Sequence, residues 1–297
     1  ANRGNLNNQI GVPLSALEVK NEDICIFEMG AGEPGDIKRL SSIVMPDIAV
    51  VTSVGEGHLE FFDTTKGVAK EKSSVLEFAK SGYCPENILH PNYFKKFKKI
   101  ALNVFTRYKA ENNGFFIEMQ GQYLFLPFWG LHNLYNFAVA SSIALEMGVS
   151  MRQIINGLKN IQIPSYRQEK RTKNGIDFYL DCYNANPLSM RMSLEGFTHL
   201  KGEKIVVLGD MLELGKDSEK LHQQIGEYLN TLEGFKKVIF YGPQMKFAFK
   251  AYKNANRYYS DNKFEIIEEL KQSAQTGNCV LLKASRGIKL EEIFEGF

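Results

Sequence analysis

The chain has 297 residues, 44% hydrophobic and 24% charged, which suits a globular protein of about two domains of ~150 residues each, with a substantial core. A formal net charge of +2 gives no electrostatic case for nucleic acid or a membrane surface. No apolar run reaches bilayer-spanning length and no secretory leader is read, so no membrane insertion and a cytoplasmic protein are expected. Four scattered cysteines, Cys25, Cys84, Cys182 and Cys279, include no C-x-x-C, which indicates buried thiols rather than a disulfide framework or a zinc site.

Residues 24–27, Ile-Cys-Ile-Phe, read as a buried strand that ends at Glu28 and feeds a glycine-rich turn. Pro34 then opens a helix, at a position where its missing N–H costs nothing. Two chemistries compete there. Gly30, Gly32 and Gly35 match G-x-G-x-x-G behind a strand, the dinucleotide fingerprint. Alternatively Glu28, at the carboxyl end of that strand, is a metal-binding or catalytic carboxylate; a structural salt bridge is the plainer possibility. A second strand is expected over 47–54, with Gly55-Glu56-Gly57-His58 as its exit loop, and a helix over 65–82. Strands follow at 88–89 and 100–105. Lys95, Lys96, Lys98 and Lys99, interleaved with Phe94 and Phe97, read as a solvated helix face rather than a binding patch.

Residues 114–126 form a hairpin broken at Gln120-Gly121, and 131–147 a long helix. Ser150 caps a further helix reaching about Asn160. The proline in 161–167 places a domain boundary near 164, giving domains 1–164 and 165–297. Beyond it, strands at 176–180, 204–208, 237–241 and 279–283 alternate with helices at 187–200, 218–232, 244–252 and 262–273. The class is therefore α/β, with two doubly wound domains.

Chemistry-bearing residues gather at strand exits. Glu28 and His58 each lie just beyond a strand, ahead of the lysines of the next helix. His132, Asn133 and Asn136 share the first turns of one helix, where amides can cap it or read a heterocycle. Asp181-Cys182-Tyr183-Asn184-Ala185-Asn186-Pro187 joins a strand to a helix; Asp181 could accept from a ribose diol and Asn186 could cap. Gly209 to Gly215 follows another strand, its Met and Leu residues read as packing. Lys283, Ser285 and Arg286 close the last strand, well placed for an anion.

Taken in order, GNLNNQIGVPL, EMGAGEPGDI, GEGHLEFF, GVAKEK, GLHNLYN, DCYNANPLSM, VLGDMLELG and KASRG resemble the Mur ligases over nearly the whole chain. YNANP and the opening GNLNNQIGVP point to the branch that adds D-alanyl-D-alanine to UDP-N-acetylmuramoyl-tripeptide. The resemblance implies a central ATPase domain, a Rossmann-like C-terminal ligase domain, and ATP and Mg²⁺ as cofactors. It also implies an acyl-phosphate route to an amide, in a monomer. Carried over residue by residue, it makes Glu28 and His58 metal ligands and Lys72 the lysine that is carbamylated, with Lys70 a nearby competitor. Asn133 and Asn136 would face adenine, Asp181 the ribose, and Arg167 a phosphate. Tyr183, Asn184, Lys283, Ser285 and Arg286 would lie near the incoming dipeptide or phosphate, and Asn5, Asn7 and Asn8 near the muramoyl-peptide. Tyr166 and Ala284 stand where the family has glycine, and Glu71 where it has alanine. The family's G-x-x-x-x-G-K-[ST] loop has no match, so a fragment of low activity is expected. The competing readings are a non-catalytic ligase-like partner subunit and a nicotinamide dehydrogenase. The dehydrogenase lacks an acid about twenty residues after its glycines, since 50–55 read Val-Val-Thr-Ser-Val-Gly.

Overall fold

A computed structural model describes residues 1–2, 4–111 and 114–297, in two compact units, Ala1–Ala101 and Leu102–Phe297. The first unit holds α1 (Gly11–Leu17), α2 (Asp36–Val44), β1 (Ile48–Val50), α3 (Leu59–Phe62), α4 (Thr65–Ser73), β2 (Ser81–Pro85) and β3 (Lys98–Ile100). Its strands form a parallel sheet ordered β1-β2-β3. Val12, Leu40, Ala69, Cys84 and Phe94 are fully enclosed in it. The Thr64 side chain accepts from the Gly67 N–H at 3.1 Å and so starts α4.

Several expectations for this unit are corrected. Residues 24–27 form no strand, and Ile24 and Ile26 are 51% and 68% exposed. The segment gains nothing by burial, and the backbone N–H and C=O of Glu28 bond the Asn2 side chain, both at 2.9 Å, instead of a neighbouring strand. The helix expected over 65–82 stops at Ser73, tightens into a 3-10 turn at Ser74–Phe78 and gives way to β2. A Cβ on Gly82 would stand 2.7 Å from Phe97 and 2.8 Å from Leu76, so close packing fixes an extended chain there. Residues 88–89 are not a strand, and 100–105 divides into the end of β3 and a 3-10 turn at Leu102–Val104. The lysine run is no helix face either. Phe94 ends a short 3-10 turn, and Phe94 and Phe97 both plug the core.

The second unit opens with an antiparallel meander, β4 (Arg107–Glu111), β5 (Gly114–Met119) and β6 (Gln122–Leu126). Helices α5 (Leu131–Glu146) and α6 (Met151–Lys159) follow; Ser150 and Gln153 make a reciprocal capping box at the start of α6. Next come β7 (Glu169–Lys173), β8 (Ile176–Asp181), α7 (Pro187–Thr198), β9 (Lys204–Gly209) and α8 (Ser218–Leu229). The chain ends with β10 (Phe235–Tyr241), α9 (Met245–Ala251), β11 (Arg257–Ser260), α10 (Lys263–Ser273), β12 (Cys279–Lys283) and α11 (Glu291–Gly296). These six strands form one sheet ordered β11-β10-β9-β12-β8-β7, parallel except for β7. Phe178, Leu180, Ile205, Val207, Ile239, Val280 and Leu282 are fully buried in it, the continuous apolar signature of strands covered on both faces. Insertion of β12 between β8 and β9 brings Asp181 and Lys283 into register at adjoining carboxyl ends. That edge is where open α/β sheets place ligands.

Candidate active site

In the first unit Glu28 is exposed, and its Oε1 accepts from the Asn7 side-chain amide at 2.9 Å. The Gly30 N–H donates to the Asn7 carbonyl at 2.7 Å, so one asparagine fixes both ends of this turn. Asn8 is spent locally, accepting from the N–H groups of Ile10 and Gly11 at 3.0 and 2.9 Å at the start of α1. The Asn5 carbonyl accepts from the Asn7 N–H at 2.8 Å.

The glycine turn is not a cradle for a dinucleotide. The N–H groups of Gly32 and Glu33 donate to Asp36 Oδ2 at 3.2 and 2.8 Å. Those of Gly35 and Ile37 each donate to a Glu71 oxygen at 2.9 Å. Two carboxylates of the chain itself occupy the donors that a pyrophosphate would need, which overturns the dehydrogenase reading. Gly35, with φ 92°, is required for its left-handed backbone and not for space, since a Cβ there would meet no atom within 4 Å. Glu71 is buried because it caps α2 in this way, and that accounts for an acid at the position.

His58 is half-buried in the left-handed conformation, φ 57°, directly ahead of α3. Lys72 is half-buried on α4, where its Nζ donates to the Ser53 carbonyl at 2.9 Å. Desolvation lowers its pKa, raising the fraction of neutral amine, the form that can react with carbon dioxide. Lys70 is exposed and lies 200° round the ideal helix from Lys72 at about 100° per residue. Among the described residues no three His, Cys, Asp or Glu side chains gather to hold a metal. Of the residues that the resemblance assigns to a metal, Glu28 and His58 offer an oxygen and a nitrogen donor, and Lys72 is desolvated as carbamate formation requires.

The second unit brings a tighter cluster together. Asp181 Oδ2 accepts from Lys283 Nζ at 3.0 Å and from the Ser193 hydroxyl in a very short hydrogen bond. Lys283 is only 3% exposed and also donates to the Asn184 carbonyl at 2.8 Å. At the start of α5 the Asn133 amide donates to the Trp129 carbonyl at 2.9 Å and to Gln168 Oε1 at 3.1 Å; Asn136 is exposed one turn later. His132 Nδ1 is buried with no hydrogen-bond partner among the described residues. Burial pulls its pKa down to about 4 against the attraction of Asp181, with Lys283 adding to the fall, so the ring is neutral at pH 7.

Ser285 pins the surrounding loops, its hydroxyl donating to the Ala185 carbonyl at 3.1 Å and accepting from the Leu212 N–H at 2.9 Å. Arg286 pairs with Glu291 at 2.5 Å and stands 4.7 Å above the Tyr166 ring; Arg167 stands 4.2 Å above Tyr183. Tyr166, where the family has glycine, adopts φ 62°, and Gln168 φ 57°. Asn184 accepts from the Ala185 N–H, and Asn186 makes the expected cap with Ser189. Asp210, in the Gly209–Gly215 segment, is absorbed in holding the start of α9 through the N–H groups of Gln244 and Met245. Met211 and Leu214 pack inside, as read from the sequence, whereas Leu212 is 43% exposed.

Sequence reasoning missed Glu71, Gln168 and Ser193. Ser193 lies on α7 twelve residues from its partner, and Gln168 thirty-five residues from Asn133, so no local spacing announces either.

Comparison with known proteins now adds a family. The Mur ligase middle domain matches residues 1–144, and the Mur ligase glutamate ligase domain matches 166–286. A UDP-N-acetylmuramoyl-tripeptide–D-alanyl-D-alanine ligase of Bacillus subtilis is 31% identical over 98% of this chain and 68% of its own length. The enzyme of that name from Escherichia coli is 28% identical over 98% and 69%. Among solved structures, MurF from Acinetobacter baumannii superposes with a TM-score of 0.89 at 26% identity, covering 99% of this chain and 69% of that one. MurF from Thermotoga maritima in complex with ADP gives 0.87 at 28% identity, covering 100% and 72%.

Proposed function

The chain belongs to the Mur ligase family, and from that premise we propose that it joins D-alanyl-D-alanine to UDP-N-acetylmuramoyl-tripeptide at the expense of ATP. The observation that carries this reading is the 31% identity to a ligase of that name through 98% of the chain. ATP phosphorylates the terminal carboxylate of the tripeptide, releasing ADP. The dipeptide amine then attacks the acyl phosphate, the amide forms and phosphate leaves. A domain boundary near 164 and a monomer acting in the cytoplasm complete the proposal.

Each residue then has a task. Neutral Lys72 takes up carbon dioxide, forming an N–C bond and losing a proton, and the resulting carbamate joins Glu28 and His58 as a metal-binding set. Mg²⁺ bound by that set would supply charge neutralisation for the transferred phosphoryl group. Asn7 keeps the Glu28 carboxylate aimed, a support its hydrogen bond already provides. In the second unit Asn133, steadied by Gln168, and Asn136 read adenine. Asp181 takes the ribose through Oδ1, because Oδ2 is engaged by Lys283 and Ser193. Arg167 meets phosphate. Tyr183, Asn184, Lys283, Ser285 and Arg286 orient the dipeptide, and Asn5, Asn7 and Asn8 lie toward the muramoyl-peptide.

The test is ADP release by the native protein carrying this sequence, with both substrates supplied. Release should require D-alanyl-D-alanine and fall by about a hundredfold or more in Lys72→Ala. Release indifferent to the dipeptide would sink the ligase reading, and an unaltered rate in Lys72→Ala would sink the metal set.

A further inference from the structure

The lysine run at 95–99 has no task in the proposed ligase reaction, and the structure gives part of it one. Lys95 and Lys96 line a cavity of about 1030 Å³ within the first unit, together with Lys38 and Lys70. That volume is at the upper end of small-molecule sites. Three acids also line it, Asp63, Glu71 and Glu77. Glu77 is taken by Lys38 at 2.7 Å, and both oxygens of Glu71 are taken by the N–H groups of Gly35 and Ile37. With Lys38 and Glu77 cancelling, the carboxylates of Asp63 and Glu71 are left against Lys70, Lys95 and Lys96, none of which pairs with a carboxylate among the described residues. The cavity is thus left with a surplus of positive charge.

Its apolar lining is aromatic. Phe61 is 43% exposed at the cavity, and Tyr93 and the core residue Phe97 add further ring surface. Aromatic rings beside ammonium groups that outnumber the acids suit a ligand with a flat apolar body and an anionic end.

We propose that this cavity is a binding site for a phosphate-bearing aromatic small molecule of nucleotide size, separate from the face of α4 that carries Lys72. Gly67, Lys70, Glu71 and Ser74 line it at i, i+3, i+4 and i+7 of α4 and the turn that follows, one face of the helix. Lys72 turns instead to the Ser53 carbonyl. The inference rests on the cavity and its charges, not on the ligase reading.

The experiment is calorimetric titration of 1-naphthyl phosphate into the intact chain, with 1-naphthol as the uncharged probe. Saturable binding is expected, weakening at least about tenfold for naphthol and for the double variant Lys95→Glu/Lys96→Glu. Raising salt from about 0.05 to about 0.5 M should weaken it severalfold. Lys159→Glu, in the last turn of α6, should bind as the parent does. Both cavity lysines are exposed, so the double variant keeps its fold, which its thermal transition verifies. Equal binding of naphthol, equal affinity in the double variant, or no saturable binding would overturn the proposal. Loss of ADP release in Lys72→Ala would leave it untouched.

Discussion

The two clusters solve the same electrostatic problem in opposite ways. In the second unit Asp181 and Lys283 are buried, and each neutralises the other at 3.0 Å. The ammonium also holds a backbone carbonyl, and the carboxylate a hydroxyl. In the first unit Glu28 stays in solvent and is steered by one amide, while Lys72 has a carbonyl but no carboxylate among the described residues. Charges withdrawn from water must find partners during folding, so the second cluster is organised before any ligand arrives. The first leaves its carboxylate hydrated and its lysine desolvated, with a lowered pKa and no counter-charge supplied by folding. One site is thus completed by folding, and the proposed reaction asks a modification to complete the other.

The largest break in this contrast is Lys283→Met. It strands Asp181 without its cation and should cost about 3–5 kcal/mol, read by urea unfolding. A loss below about 1 kcal/mol would mean that the pair is solvated and the contrast mistaken.

Next comes pH. His132 titrates near 4 in the folded chain against 6.5 as an unperturbed group. Above pH 6.5 the ring is neutral in both states and costs nothing. As pH falls from 6.5 to 4 the unfolded chain takes the proton first, removing up to about 3 kcal/mol of stability. In His132→Gln that part of the acid slope should vanish from unfolding curves. A slope unaltered by the substitution would place the ring in contact with water.

A smaller effect belongs to the first unit. Glu71→Gln removes the charge that caps α2 and turns an amide NH₂ toward one of its two N–H donors, at a cost of about 1–2 kcal/mol in thermal stability. Smallest of all is Lys72→Met, which removes a desolvated ammonium with a single carbonyl partner. Stability should stay within about 1 kcal/mol of the parent, since lost hydrogen bonding and relieved desolvation oppose each other. Two lysine-to-methionine changes would then differ severalfold in consequence.

Much of the second unit was legible because its strands are buried on both faces. Runs such as 205–208 and 279–282 are apolar throughout, and caps such as Ser150 and Asn186 announce their helices. The strands that escaped, β4, β7 and β11, read Arg-Tyr-Lys-Ala-Glu, Glu-Lys-Arg-Thr-Lys and Arg-Tyr-Tyr-Ser, and only a neighbouring strand makes them strands. The opposite error occurred at 24–27, where four apolar residues imitate a buried strand but have no ladder to join. At the clusters, Asp181, Lys283 and Lys72 stood out as charges at strand exits or on a motif. Gln168, Ser193 and Glu71 did not, because partners 12 to 36 residues away leave no periodic trace. The glycine triplet, already without its acid in the sequence, is explained for a related reason: its donors look open in sequence and are filled in space.

The margins of two of the sheets carry a consequence for handling the protein. At one border of the six-stranded sheet, antiparallel β7 presents four charged side chains among its five residues, Glu169, Lys170, Arg171 and Lys173. A border so charged discourages a strand from another molecule. In the sheet ordered β1-β2-β3, β1 is one of the two outer strands; it is short and uncharged, and Val50 on it is 42% exposed. Self-association in a concentrated stock is therefore opposed by charge along β7 and not along β1, where a lysine at position 50 would supply the missing charge.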